Sequence, residues 1–390
     1  MKNTRILILV SRLGIGGIQT FVINLANQIL VDRDDVEIFI YCHFPEYAER
    51  NSNIELDSRI KVFTLVKNPF LLKLLNFITT KLKNIYSRLN IKEWLSRKYY
   101  LKLIQKLEID IVHSNIAKTD ELAVLSKKKF ATPFVSTCHG SYDSKIISES
   151  QKVLMKDMEQ FCDKYIYMAD KNLTNFYREG YHKIKKTFIP YGFQSAQKRI
   201  LKNSVSKKVK FCMIARGAED KGWIQLNEAI SILKGKDLDF EVHVAADGSL
   251  VKELFSDREA HGLYYYGPVK NSLPIIEKAN IGLLPTYHDS ESMPFTVIEY
   301  LYHSKPVISS NIGAIEYMIT YQEKKAGEIL ELKENGKVSS LELANEMEKY
   351  ISDHNKIQED TATAVTAFEK FDMTLCSKNY LDLYESLIVK

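Results

Sequence analysis

Short apolar, β-branched runs alternate with segments of helical periodicity along this sequence, and the alternation runs through twice. Arg5 to Val10 is the first such run. Glycines at 14, 16 and 17 break it, and Gln19 to Leu30 then places Phe21, Val22, Leu25, Ala26 and Ile29 at helical spacing. Val36 to Tyr41, Asp110 to His113, Phe134 to Thr137 and Tyr165 to Met168 are further apolar runs between helical stretches. Strands and helices in alternation specify a parallel sheet covered by helices, because a parallel pair cannot be joined by a tight turn. A stretch rich in Lys, Ser and Asn, Gln197 to Lys210, interrupts the pattern. It restarts with strands at Val209 to Ala215, Phe240 to Ala245, Gly262 to Tyr266, Ile281 to Leu284 and Pro306 to Ser309, and a helix at Ile224 to Leu233.

At 390 residues the chain exceeds one ordinary core of about 150 residues. We therefore expect an α/β protein with two Rossmann-like, doubly wound domains, 1–195 and 205–370, facing a central cleft. Such sheets bind ligands at the carboxyl ends of their strands. Residues 371–390 read as a helix packing back on the first domain. Hydrophobic residues make up 45% and charged residues 26%, which excludes a disordered or low-complexity chain. The five cysteines are scattered, with no C-x-x-C pair, so neither a disulfide framework nor a zinc site is expected and a cytoplasmic protein fits. The apolar run Ile6 to Val10 is too short for a signal-peptide core, and no run approaches the length of a membrane span. A net charge of +5 gives no case for a nucleic-acid partner.

Charge is unevenly placed. Lys61 to Lys106 holds eleven basic residues against one acid, Glu93, a local +10 that leaves −5 for the remainder. Phe70, Leu71, Leu74, Phe77, Trp94, Tyr99 and Tyr100 are interleaved with these cations. A basic, aromatic, amphipathic stretch is expected to lie on an anionic membrane surface.

Two segments of the second half could carry chemistry. In Glu291-Ser-Met-Pro-Phe-Thr-Val-Ile-Glu299, Ser292 is suited to cap a helix and Pro294 to its first turn. The amides of Phe295 and Thr296 would then form an anion site at the helix start, with Glu299 one to two turns in. Arg216-Gly-Ala-Glu-Asp-Lys221-Gly222 places two cations five apart on a strand-to-helix loop, able to clamp a diphosphate. Taken by themselves, both patterns read better as solvated surface charges.

Together these segments resemble glycosyltransferase family 4, retaining enzymes of the GT-B fold. Glu291 to Glu299, followed by Pro306 to Ser309, Gly313 and Glu316, is similar to the family's E-x7-E block. Arg216 and Lys221 resemble its G-R-x4-K-G loop, Ala246-Asp247-Gly248 its glycine turn, and Tyr266-Gly267-Pro268-Val269 a strand end. In the first half the resemblance rests on Gly16-Gly17, Asp110 to His113, Thr137 to Gly140 and Ile189-Pro190-Tyr191-Gly192. Ala215, Tyr191, Ser292, Tyr300 and Ser304 depart from the family's usual Gly, Asn, Gly, Ala and Gly.

The resemblance implies a donor nucleotide sugar in the second domain and an acceptor in the first. Arg216 and Lys221 would hold the diphosphate, and Glu299 would accept from the ribose hydroxyls. Glu291, with the Phe295 and Thr296 amides, would orient the sugar. Gly16 and Gly17 would let backbone approach the donor phosphate, and His139 would hydrogen-bond the transferred sugar. It further implies a UDP-sugar donor, retention by front-face attack, and a lipid-linked or oligosaccharide acceptor in capsule or cell-surface polysaccharide assembly on the inner face of the membrane. No metal and no other cofactor are expected: Asp32-x-Asp34 and Asp237-x-Asp239 lie in polar turns leading into strands. His113 reads as structural, Cys138 as pointing away from the site, and His288 and Asp289 as equally able to touch or miss the sugar. A non-catalytic GT-B module and a GT-B nucleotide-sugar epimerase remain the alternative readings.

Overall fold

A computed structural model describes residues 3–14, 16–44, 55–66, 68–85, 91–140, 142, 146–195, 199, 208–256 and 262–388. Most of the Gln197–Lys210 linker, the loop Ser141 to Lys145 apart from Tyr142, and Lys67 and Arg88 of the basic stretch lie outside the described residues. The chain divides into two compact units: Met1–Gln194 with Met373–Lys390, and Ser195–Asp372.

The first unit runs β1 (Thr4–Val10), α1 (Gly17–Asp32), β2 (Val36–Cys42), β3 (Lys61–Phe63), α2 (Pro69–Ile85), α3 (Ile91–Lys106), β4 (Ile111–Ser114), α4 (Ala117–Phe130), β5 (Phe134–Thr137), α5 (Glu149–Phe161), β6 (Lys164–Tyr167), α6 (Lys171–Arg178) and β7 (Lys186–Phe188). All seven strands are parallel, in the order β3-β2-β1-β4-β5-β6-β7. Ile6 to Val10, the last five residues of β1, are all buried, as a strand covered on both faces requires. The short edge strands β3 and β7 carry few consecutive apolar residues, so periodicity did not reveal them.

The second unit continues with β8 (Val209–Ile214), α7 (Trp223–Gly235), β9 (Phe240–Ala245), α8 (Ser249–Phe255), β10 (Leu263–Tyr265), α9 (Leu273–Lys278), β11 (Ile281–Leu284), α10 (Phe295–Tyr302), β12 (Val307–Ser310), α11 (Ile315–Ile319), a small antiparallel pair β13 (Thr320–Tyr321) and β14 (Lys324–Lys325), β15 (Gly327–Leu330), α12 (Ser340–Ser352) and α13 (His354–Ala367). Its six-stranded parallel sheet has the order β10-β9-β8-β11-β12-β15. A core of Phe211, Met213, Trp223, Leu226, Val242, Val244 and Tyr350 lies on one side of it.

Helix α14 (Met373–Leu387) belongs to the first unit and packs along α1. Its Tyr384 hydroxyl bonds His113 Nδ1 at 2.7 Å, and its Tyr380 hydroxyl bonds Thr137 Oγ1 at 3.0 Å.

Strand order reverses once in each sheet, between β1 and β4 and between β8 and β11. Loops leaving the carboxyl ends of strands on the two sides of such a point diverge to opposite faces and open a crevice there. Gly16 and Gly17 follow β1 and Asn115 follows β4. Arg216 and Lys221 follow β8, and Glu291 follows β11.

Candidate functional site

In the second unit the loops after β8 and β11 are laced together. Tyr287 N donates to Asp220 O at 2.8 Å, Thr286 Oγ1 contacts the same carbonyl at 3.2 Å, and His288 Nδ1 lies 2.7 Å from Asp220 Oδ2. Gly222, at φ +88°, lets the chain turn against Pro285, whose carbonyl oxygen would lie 2.2 Å from a Cβ. The end of β9 closes the third side: Gly217 N donates to Asp247 Oδ1 at 2.6 Å, and a Cβ on Gly217 would sit 1.7 Å from Asp247 O.

Into this frame the chain brings Lys221 and Glu291. Lys221 Nζ donates to Glu291 Oε2, with only 8% and 13% of the two side chains exposed. Thr286 Oγ1 lies 3.3 Å from the same oxygen. The sequence placed both residues at strand ends but did not foresee that they pair. Arg216 is exposed, and its carbonyl accepts from Trp223 Nε1 at 2.9 Å.

The expected capping at 292–294 needs correction. Helix α10 begins at Phe295, so Pro294 is its cap residue rather than part of its first turn, and Ser292 lies before the helix with its carbonyl accepting from Ala314 N at 2.7 Å. The reason is Gly313: at φ +62°, a Cβ there would come within 2.4 Å of the Glu291 and Ser292 carbonyls, so the β12 loop holds this segment extended. Phe295 and Thr296 open the helix, half-buried. Glu299 stands in its second turn and accepts from Ser272 Oγ, at the cap of α9, at 3.2 Å. Burial pushes the Glu299 carboxyl up to about 7, against the smaller lowering effect of the Ser272 hydroxyl.

Three departures from the family pattern, at Tyr300, Ser304 and Ala215, lie in this unit. Tyr300 is buried beside Gly282 of β11, where a Cβ would lie 2.2 Å from its ring, and its hydroxyl receives the Ile214 amide at 3.1 Å. Ser304 adopts φ +57°, the left-handed conformation glycine favours. Ala215 has no positive φ and packs against the core.

In the first unit Gly16 caps α1 at φ +155° and Gly17 is its first residue. A Cβ on Gly16 would lie 2.4 Å from Gln19 Oε1. His139 follows β5. Its Nδ1 pairs with the Tyr191 hydroxyl, and its Nε2 lies 3.1 Å from Asn115 Oδ1. Burial, and secondarily His113, lower its pKa to about 3. His113 is fully buried between Thr137 and Tyr384, and burial holds its pKa at about 3. Cys138 points into the core beside Tyr142 and Cys162. Asn115, Ser272 and Thr286 were not singled out from the sequence. Asn115 was findable in principle, lying two residues past His113 at a strand end. Ser272 and Thr286 are small hydroxyl residues that nothing in the sequence distinguishes.

Asp239 is paired with Lys208 at 2.8 Å and Asp32 accepts from Gln28 at 2.8 Å. Among the described residues no group of three His, Cys, Asp or Glu side chains is placed to hold a metal ion.

Two parallel α/β units, each with its polar residues gathered at the strand ends of a topological switch, define a GT-B protein. Residues 15–193 match the Glycosyltransferase Family 4 model and residues 208–353 the Glycosyl transferases group 1 model. The chain belongs to glycosyltransferase family 4. It is 29% identical over 241 residues to the capsular polysaccharide biosynthesis glycosyltransferase CapH of Staphylococcus aureus, a match covering 57% of this chain and 66% of that relative. The matched region thus spans just under two thirds of the relative's length. Among solved structures, Anabaena HepE in complex with UDP has a TM-score of 0.72 at 16% identity, covering 99% of this chain and 100% of that one. A glycosyltransferase from Rickettsia africae has a TM-score of 0.70 at 19% identity, covering 99% of each chain. These two likenesses concern the fold.

Proposed function

We propose that the protein is a retaining, metal-independent glycosyltransferase. It moves a sugar from a nucleoside-diphosphate sugar, a UDP-sugar, to a membrane-associated glycolipid or polyprenyl-linked acceptor in capsule or cell-surface polysaccharide biosynthesis. The observation that carries this reading is the Lys221–Glu291 pair at the β8–β11 switch point, with exposed Arg216 on the same loop as Lys221 and Glu299 on the helix that follows. The similarity to CapH supports the pathway, and the UDP and UDP-glucose complexes of HepE support the donor class.

In this scheme Arg216 and Lys221 take the diphosphate and offset the charge that builds on it as the glycosidic bond breaks. The opening amides of α10, at Phe295 and Thr296, face the anion, and Glu299 accepts from the ribose hydroxyls. Glu291, released from Lys221 by the diphosphate, orients the sugar. Gly16 and Gly17 open the first unit's face to the donor phosphate, and His139 stands beside the transferred sugar. The acceptor hydroxyl attacks from the face the leaving group departs, and its proton passes to the departing phosphate oxygen. No metal or other cofactor enters the scheme.

Helix α2 supports cytoplasmic, peripheral attachment at the inner membrane surface. Phe70, Leu71, Leu74 and Phe77 stand out from it, 47–74% exposed, with Lys73 and Lys81 exposed among them. Lys98 covers the exposed Trp94 ring at 3.8 Å on α3. No helix among the described residues is long and apolar enough to cross a membrane.

The test is a thermal-shift screen of nucleoside diphosphates followed by transfer from the stabilising nucleotide's sugars to lipid-linked acceptors. A product of inverted anomeric configuration overturns the retaining mechanism, and the absence of any transfer overturns the reading.

A further inference from the structure

We propose that Tyr191 is the positioning residue that fixes His139 as a neutral imidazole with its proton on Nε2, so that the ring meets the substrate as a fixed group and not as a proton carrier. The proposal deepens the reading above, in which His139 stands beside the transferred sugar.

The assignment follows from a chain of donors and acceptors. Asn115 Nδ2 donates to two backbone carbonyls, Leu9 O at 3.1 Å and His113 O at 3.4 Å. That fixes the orientation of the amide and leaves Oδ1 facing His139. A carbonyl oxygen only accepts, so Nε2, 3.1 Å away, carries the proton. In a neutral ring Nδ1 then has a lone pair and no hydrogen, and the Tyr191 hydroxyl donates to it. Both ring nitrogens are committed to the protein.

Packing holds the partner in place. The rings of Tyr191 and His139 are parallel, 8° apart in angle and 5.5 Å between centres. Phe21 of α1 braces both, at 4.9 Å from Tyr191 and 5.7 Å from His139. The next residue, Gly192, sits so close to α14 that a Cβ would lie 2.7 Å from Cys376 Cβ and Met373 Sδ, and Cys376 Sγ reaches Pro190 O at 3.5 Å. The C-terminal helix therefore clamps the segment that presents the phenol. His113 on β4 and Tyr191 are the titratable groups that bear on the ring, and Tyr191 in turn interacts with Tyr380 of α14. Burial keeps His139 uncharged, in agreement with the bonding.

Tyr191→Phe keeps the ring and removes the hydrogen bond donated to Nδ1. The experiment is nuclear magnetic resonance of the full chain carrying 15N-histidine, with nitrogen shifts read from pH 5.5 to 8. The expected spectrum for the parent has His139 Nε2 protonated, Nδ1 bare and neither shift moving with pH. In Tyr191→Phe the Nδ1 shift changes and the ring begins to respond to pH. The kcat/KM for transfer from a UDP-sugar then falls roughly tenfold more at pH 6 than at pH 8, with Tm within a few degrees of the parent, as expected for loss of one orienting hydrogen bond. Asn115→Asp, which puts a carboxylate against Nε2, provides a second variant and is expected to leave His139 doubly protonated at neutral pH. A protonated Nδ1 in the parent, or a Tyr191→Phe variant with the parent's shifts and pH profile, overturns the proposal. If no nucleotide sugar serves as donor, the proposed function fails while the nitrogen shifts still decide the tautomer.

Discussion

Lys221 and Glu291 form a mostly buried ion pair across seventy positions of sequence, joining the loops that leave neighbouring strands β8 and β11. One residue is a cation proposed to meet a diphosphate and the other an acid proposed to meet a sugar. Each satisfies the other, so neither charge is left without a partner in a place where water reaches it poorly.

Lys221→Ala strands the Glu291 carboxylate. It is expected to lower stability by about 3 kcal/mol, in the range for breaking a buried pair, and to reduce transfer at least about a hundredfold. Denaturant unfolding and initial rates measure the two effects. Glu291→Gln should separate them: UDP binds more tightly because Lys221 no longer has to leave a carboxylate, while transfer is lost. Equal or weaker UDP binding by that variant would contradict the pairing.

Glu299 predicts a pH dependence. Its carboxyl lies near 7, raised from an ordinary 4.5 chiefly by burial. Between those values the folded protein holds a proton the unfolded chain has released, so this group's contribution to stability falls as pH rises from 4.5 through 7. Ribose recognition runs the other way, because an ionised carboxylate accepts two hydroxyl bonds. UDP affinity should rise with pH through about 7, with a proton released on binding at pH 6. Calorimetry in buffers of different ionisation enthalpy checks this, and Glu299→Gln should abolish the release.

Tyr300 and Gly282 predict a compensating pair. Gly282→Ala places a Cβ 2.2 Å from the Tyr300 ring and should destabilise the second unit by about 1–3 kcal/mol through overpacking. Tyr300→Ala alone leaves a cavity and should cost about 3–5 kcal/mol. A double-mutant cycle should show a coupling energy of at least about 1 kcal/mol, the two costs failing to add.

Helix α2 predicts membrane behaviour. Phe70→Asp with Phe77→Asp should weaken binding to anionic liposomes while leaving UDP binding unchanged, since both side chains are exposed, at 74% and 57%. Parental binding should fall as salt rises. Equal binding to neutral and anionic vesicles would count against the electrostatic part.

Most strands were legible because each is a run of β-branched, apolar residues long enough to be buried on both faces; β5, β9 and β11 fall at the residues the pattern gives. The edge strands β3, β7 and β15 were not, because an edge needs fewer apolar residues and its pairing is set by neighbours distant in sequence. Gly313 was visible as a glycine, but its contact with the Glu291 and Ser292 carbonyls, which moves the helix start to Phe295, was not.

What the sequence by itself determined is the chemistry available: two cations five apart, two acids eight apart, and glycines where strands turn into helices, all placed by local periodicity. The tertiary structure decided which of these meet. Lys221 reached Glu291, Glu299 reached Ser272, and Tyr191 reached His139, because strand order brings chain ends together by hydrogen-bonded pairing in the sheet and not by distance along the chain. Partners of this kind are fixed by non-local packing, which leaves no periodic trace in a sequence.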